Sequence, residues 1–319
     1  MKSMTLKSAG LAAFISLLGI SCSNDGGGSQ SYGTLLEVTQ ERADISTFSA
    51  AVELAGLTGV LESGTDRTLF APTNNGMDQF LLENGYTTIN AVPVDVLKEI
   101  VYNHFVQGSI ETSELTTGYK KTFARGSASA SNYLDVFVNT TSGIKLNGVA
   151  TVTTPNIPAD NGVLHIVDKV VGLPTIVTHI GANPELTSFA TALAFDPSSN
   201  FIATLSDNST KTTVFAPDNT AFSAFLTETG NANINAFPAT ELHTILLYHT
   251  VNNVNTLSSS FSNGQNISTA AGQGVTISLT GGGKKITDVN GRISNFIKTD
   301  IQASNGVVHI VDKALLPNF

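Results

Sequence analysis

The chain has 319 residues, of which 41% are hydrophobic and only 13% charged. The apolar share is enough for a packed core, the length corresponds to about two domains, and so few charges argue against a long solvated helical or coiled-coil protein. The balance is acidic: 16 Lys and Arg against 25 Asp and Glu give a net charge of −9. This disfavours a nucleic-acid binder, which carries a basic footprint. The single cysteine excludes an intrachain disulfide and a cysteine-rich zinc site.

Residues 1–21 begin with Lys2 and Lys7 and continue into an uncharged apolar run of 12 residues, Ala9 to Ile20. A bilayer-spanning helix needs about 20 residues, so this run fits a secretory signal peptide instead. Cys22 follows Leu18-Gly19-Ile20-Ser21. Small residues before a cysteine at the end of the apolar run resemble the lipobox of bacterial lipoproteins, although the family's leucine, three places before the cysteine, is here Gly19. The resemblance implies a diacylglycerol on the Cys22 thiol, and multiple acyl chains anchor firmly. The alternative is a free cysteine behind an ordinary signal peptide. Ser23 to Ser31 is rich in Gly and Ser and reads as a flexible tether. Residues 1–21 are therefore expected to be a signal peptide and 22–32 a lipid-anchored tether. The expected address is the cell envelope, at an outer membrane, facing outside or the periplasm.

The remainder is one unit written twice. Thr68-Leu69-Phe70-Ala71-Pro72 returns as Thr213-Val214-Phe215-Ala216-Pro217, an offset of 145. Tyr102-Asn103-His104 returns as Tyr248-His249, with Asn103 read as an insertion. Asn161-Gly162-Val163-Leu164-His165-Ile166-Val167-Asp168 returns as Asn305 to Asp312, an offset of 144. A period of this size is a duplicated domain, far above solenoid repeats. The expected boundaries are 33–173 and 174–319, with so little linker that the copies touch.

Within each copy the pattern predicts helices first. Ile45, Phe48, Val52, Leu54 and Leu57 recur at helical spacing, as do Leu186, Phe189 and Leu193. Two β-prone runs follow and stop at Pro72 and Pro217, because proline cannot continue a ladder. Thr73 and Asp218 stand as N-caps of the next helices. Gly76 in the first of these predicts a softer helix than Ala221 does in the second. Leu97, Ile100, Val101, His104 and Phe105 then share one helical face, as do Leu242, Ile245, Leu246 and His249. The last third of each copy turns to strands. Leu134 to Val138 and Val275 to Leu279 alternate, and Asn147-Gly148 and Asn290-Gly291 signal hairpins. The fold class is α+β.

Phe70-Ala71-Pro72 and Phe215-Ala216-Pro217, Tyr102 with His104, Tyr248 with His249, and the Asn161–Asp168 and Asn305–Asp312 segments together resemble the fasciclin domain. The resemblance implies two tandem domains, each a β-sheet wedge with helices packed around it. It also implies an exported, often membrane-tethered adhesion or interaction protein. Asp300-Ile301 matches a position that serves binding in some members, and Asn156-Ile157 replaces it in the first copy.

The candidate chemistry rests on His104, His165, His249 and His309. They read either as acid/base or ligand groups or as core residues satisfied by nearby backbone. The second reading is favoured, because no paired-histidine metal spacing, nucleophile elbow or phosphate loop occurs. Asp168 and Asp312 read as solvated partners of the adjacent lysines. No catalytic residue, metal or cofactor is expected. The partner is expected to be a protein or glycan at the cell surface, with membrane contact through Cys22. A binding protein for a glycan or small apolar ligand is the second reading.

Overall fold

The computed structural model describes residues 31–64, 66–195 and 200–319. The expectations for residues 1–21, for Cys22 and for most of the tether lie outside the described residues. The first repeat opens with three short helices, α1 (Leu35–Gln40), α2 (Ser46–Leu54) and α3 (Thr58–Glu62). Strand β1 (Arg67–Pro72) follows, then α4 (Asn74–Glu83) and α5 (Val94–Asn103). Six strands complete it: β2 (Phe105–Gln107), β3 (Gly118–Gly126), β4 (Ser129–Asn139), β5 (Lys145–Leu146), β6 (Ala150–Ala159) and β7 (Gly162–Val167). The second repeat has the same order. Its helices are α6 (Ile176–Ala182), α7 (Thr187–Phe195) and α8 (Phe201–Ser206), then, after β8 (Thr212–Pro217), α9 (Asn219–Glu228) and α10 (Ala239–Tyr248). Its later strands are β9 (Thr250–Asn252), β10 (Asn266–Ser268), β11 (Gly274–Ser278), β12 (Lys285–Thr287), β13 (Ile293–Ala303) and β14 (Gly306–Val311).

In the first repeat the strands close into a ring, β1 through β7 in sequence order, with β1 and β7 parallel. In the second, the order β10-β11-β12-β13-β14-β8-β9 stays open. Strand length is the reason. β3 and β4 have 9 and 11 residues, whereas their counterparts β10 and β11 have 3 and 5. A single backbone bond, Ala270 N–H to the Thr250 carbonyl at 2.7 Å, spans the gap.

Alternation along the parallel pair builds two cores per repeat. Leu69 and Ala71 of β1 and Leu164 and Ile166 of β7 face the helices, where Phe48, Met77 and Val101 pack on them. Phe70 and Val167 face the ring interior with Val136 and Val138. Each such fully buried side chain contributes roughly 1.5–3 kcal/mol. The Thr73 hydroxyl caps α4 by accepting the Gly76 amide at 3.1 Å, and Asp218 caps α9 from the Ala221 amide at 2.6 Å.

Three local expectations are corrected. The helices end at Asn103 and Tyr248; His104 and His249 are their C-caps, and Phe105 already belongs to β2. Both helices have 10 residues, so Asn103 stands in the place of Tyr248 and is no insertion. Tyr102 matches Leu247. Leu134 to Val138 are all buried rather than alternating. Val136 and Val138 fill the ring, Phe137 packs against Tyr119, and Asp135 meets the second repeat. Gly76 also has a packing role. A Cβ there would lie 2.6 Å from the Asp168 carbonyl oxygen, so the bare backbone lets α4 lie against the end of β7.

Residues 32–319 form one compact unit in which the β3–β4 hairpin reaches from the first repeat onto the second. At its tip Ala128 N–H donates to the Ser304 carbonyl at 2.8 Å, and the Ser127 hydroxyl to the Asn208 carbonyl at 2.8 Å. Gly126 passes so close that a Cβ would come within 2.3 Å of the Ser304 Cα. Midway, the buried Asp135 carboxylate accepts the Gln302 amide at 2.6 Å and the Lys121 ammonium at 2.7 Å. Burial pushes the Asp135 pKa up, against the pull of Lys121.

Candidate interaction site

The motif residues meet around the parallel strand pair and are used up by the fold. His104 Nε2 accepts the Val171 amide at 3.0 Å, which places the ring proton on Nδ1, donating to the Ile100 carbonyl at 2.7 Å. His249 repeats this with the Leu315 amide at 2.9 Å and the Ile245 carbonyl at 2.8 Å. Each imidazole thus ties a helix end to the closing segment of its repeat. Burial lowers the pKa of both to about 4, so they are neutral near pH 7.

His165 and His309 do a different job. β6 and β13 carry bulges at which Asn156 and Asp300 adopt φ of 57° and 63°. A bulge leaves an amide without its ladder partner. His165 Nδ1 accepts the Asn156 amide at 3.0 Å, and His309 Nδ1 the Asp300 amide at 3.2 Å. Their Nε2 atoms donate to the Ile110 and Thr256 carbonyls at 2.9 and 2.8 Å. Burial lowers both pKa values. Phe70 and Phe215 lie beside these rings, with centroids 5.2 and 5.8 Å away. Pro72 and Pro217 end their strands opposite Val167 and Val311.

The asparagines bind the helical layer to the sheet. Asn161 accepts the Leu35 amide and donates to the Leu61 carbonyl, both at 2.8 Å. Asn305 accepts the Ile176 amide at 3.0 Å and donates to the Leu205 carbonyl at 2.8 Å. Tyr248 is buried, and its hydroxyl donates to the Gly274 carbonyl at 2.9 Å. Burial pushes its pKa up to about 12. Tyr102 is half-buried against the helical core.

Two expectations about charged residues do not hold. Ile301 is 1% exposed within the second core, and half-buried Asp300 accepts both the amide and the hydroxyl of Ser258, so the structure spends both residues on the fold. Burial alone would raise the Asp300 pKa, but these bonds outweigh it and hold it low. Asp168 and Asp312 take the Thr151 and Asn295 amides at 2.6 and 2.7 Å, pinning β6 and β13, where lysine pairing was expected. Ser258, Lys284 and Asp300 do come together, but Lys284 donates to the Ser258 hydroxyl at 2.6 Å and that hydroxyl donates to Asp300. The three form a bridge between a loop and β13. Among the described residues no group of three or more His, Cys, Asp or Glu is placed to hold a metal.

What the sequence reading missed is a cleft of about 550 Å³ in the first repeat. Phe80 and Glu83 of α4, Ile100 of α5 and Val170 wall it, with Asn147 and Val149 of the β5–β6 turn above. It extends along the closing segment to Thr178 and Asn208 of the second repeat. Its size is that of a small-molecule or side-chain site.

A paired α+β unit with a parallel seam, its motif histidines spent on backbone, is a scaffold whose open surface is free for binding. The fasciclin domain profile matches residues 43–174 and 184–317, and the chain belongs to the fasciclin domain family. It is 28% identical to human periostin over 294 residues, covering 90% of this chain and 32% of periostin. It is 27% identical to pig transforming growth factor-beta-induced protein ig-h3 over 262 residues, covering 79% of this chain and 35% of that protein. The chain thus spans about a third of these relatives' length. The solved FAS1 domain pair of the insect cell adhesion molecule Fasciclin I matches with a TM-score of 0.50 at 18% identity, over 88% of this chain and 98% of that one. This likeness concerns the fold.

Proposed function

We propose that the protein is an exported, envelope-anchored adhesion or interaction protein, non-enzymatic, held by lipid on Cys22 and binding a protein or glycan through its two fasciclin repeats. The observation that carries the reading is the commitment of both nitrogens of each of the four motif histidines to backbone partners. Residues so committed serve the scaffold and leave binding to its surface. The relationship to periostin and the pairing of repeats seen in a cell adhesion molecule support the same reading. Among the described residues no helix is long and apolar enough to cross a membrane, and an acylated Cys22 with the 22–32 tether would supply attachment.

The test is fractionation of cells producing the wild-type chain or Cys22→Ala. The wild type is expected with the membranes, released by detergent and labelled by a fatty-acid probe. The Cys22→Ala chain is expected to be unlabelled and soluble. Identical fractionation of the two would overturn the anchor.

A further inference from the structure

The cleft of the first repeat has a filled counterpart in the second. Phe80 and Glu83 correspond to Phe225 and Glu228 at the repeat offset of 145, and Val170 to Ala314 at 144. In the second repeat a guanidinium occupies the equivalent space. Arg292 stacks over Phe225 at 6.0 Å from the ring centroid. Its Nε and Nη2 donate to the two Glu228 oxygens, and Nη1 donates to the Ala314 carbonyl at 2.8 Å and to Asp288 at 3.0 Å. Such planar, bidentate recognition is what arginine is shaped for.

The loop that delivers Arg292 is shortened in the first repeat. Three residues, Asn147 to Val149, separate the last paired residues Leu146 and Ala150, whereas five, Asp288 to Arg292, separate Thr287 and Ile293. No side chain of the short loop replaces the arginine. Among the described residues the exposed Glu83 carboxylate has neither a hydrogen-bond nor an ion-pair partner. Buried Asn147, at the cleft wall, accepts the Phe137 amide through Oδ1 but leaves its side-chain nitrogen without a partner. A buried unsatisfied donor points to a missing acceptor.

We propose that this cleft receives an arginine side chain presented by a partner polypeptide, in the pose that Arg292 takes within the second repeat. The guanidinium stacks on Phe80, pairs with Glu83 and donates to the Val170 carbonyl. Lys169 at the rim is no obstacle. Its counterpart Lys313 also lies near Glu228, whose pKa is held down first by its hydrogen bonds with Arg292 and also by Lys313. The acidic net charge favours a cationic partner over an anionic one. The proposal rests on the interaction reading above and names its chemistry.

The test titrates acetyl-Gly-Arg-Gly-amide and its citrulline analogue, the neutral isostere, into the isotope-labelled full chain, followed by NMR. The arginine peptide is expected to bind at least about tenfold tighter, with shifts centred on Phe80, Glu83 and Asn147. Glu83 is exposed, so Glu83→Gln folds, and it is expected to abolish the preference for arginine. Equal binding of the two peptides, shifts elsewhere, or an unchanged preference in Glu83→Gln would overturn the proposal. Adhesion of the Glu83→Gln chain separates the two claims. Undiminished adhesion sinks the cleft and leaves the interaction reading standing, whereas absence of adhesion in the wild type sinks that reading.

Discussion

The motif histidines are hydrogen-bond pieces that must stay neutral, which gives the protein a definite acid sensitivity. His104 and His249 have pKa values lowered by burial to about 4, against an ordinary 6.5. The unfolded chain takes up these protons first as pH falls. The stability they contribute is therefore complete above pH ~6.5 and is lost down through pH ~4, by roughly 3 kcal/mol per histidine at the acid end. Asp135, raised by burial, offsets part of that loss. Urea midpoints are expected to be flat above pH 7 and to fall steeply between 6.5 and 4; midpoints independent of pH in that window would contradict the assignment. His309→Phe keeps a ring beside Phe215 but leaves the Asp300 amide at the bulge without an acceptor. It is expected to cost about 1–3 kcal/mol in urea unfolding at pH 7, and a neutral result would show that water serves as well.

At the scale of the element, two glycines mark backbone contacts that no side chain tolerates. Gly76→Ala would force α4 away from the Asp168 carbonyl and is expected to destabilise the first repeat by about 1–3 kcal/mol. Helix propensity alone predicts a gain, so the sign of the change in thermal midpoint decides between the two. Such contacts explain how far the elements could be read from residues alone. The short strands ending at Pro72 and Pro217, the caps Thr73 and Asp218, and the Asn-Gly turns are local signals, and local physics produces them. The partners of Asn161 and His165 lie 126 and 55 residues away at Leu35 and Ile110. No local pattern encodes those distances. The cleft was hidden for another reason: both repeats show Asn-Gly at this hairpin, and the two-residue difference in loop length becomes visible only once the strands are paired.

For the whole molecule, the β3–β4 hairpin makes two duplicated units behave as one. The wild type is expected to unfold in a single transition. Gly126→Leu, which drives a side chain into Ser304, is expected to separate the repeats into two transitions in calorimetry. One sharp transition in the variant would show that the hairpin tip does not couple them. Duplication and the near absence of a linker were plain in the sequence. The clasp was not, because it pairs Asp135 with Gln302 across 167 residues. Whether the repeats are held at the cell surface is decided by protease treatment of intact cells followed by immunoblot against the repeats. External protease is expected to remove the full-length band while a periplasmic marker survives. A band that persists until the envelope is broken would place the repeats inside and contradict a role in adhesion.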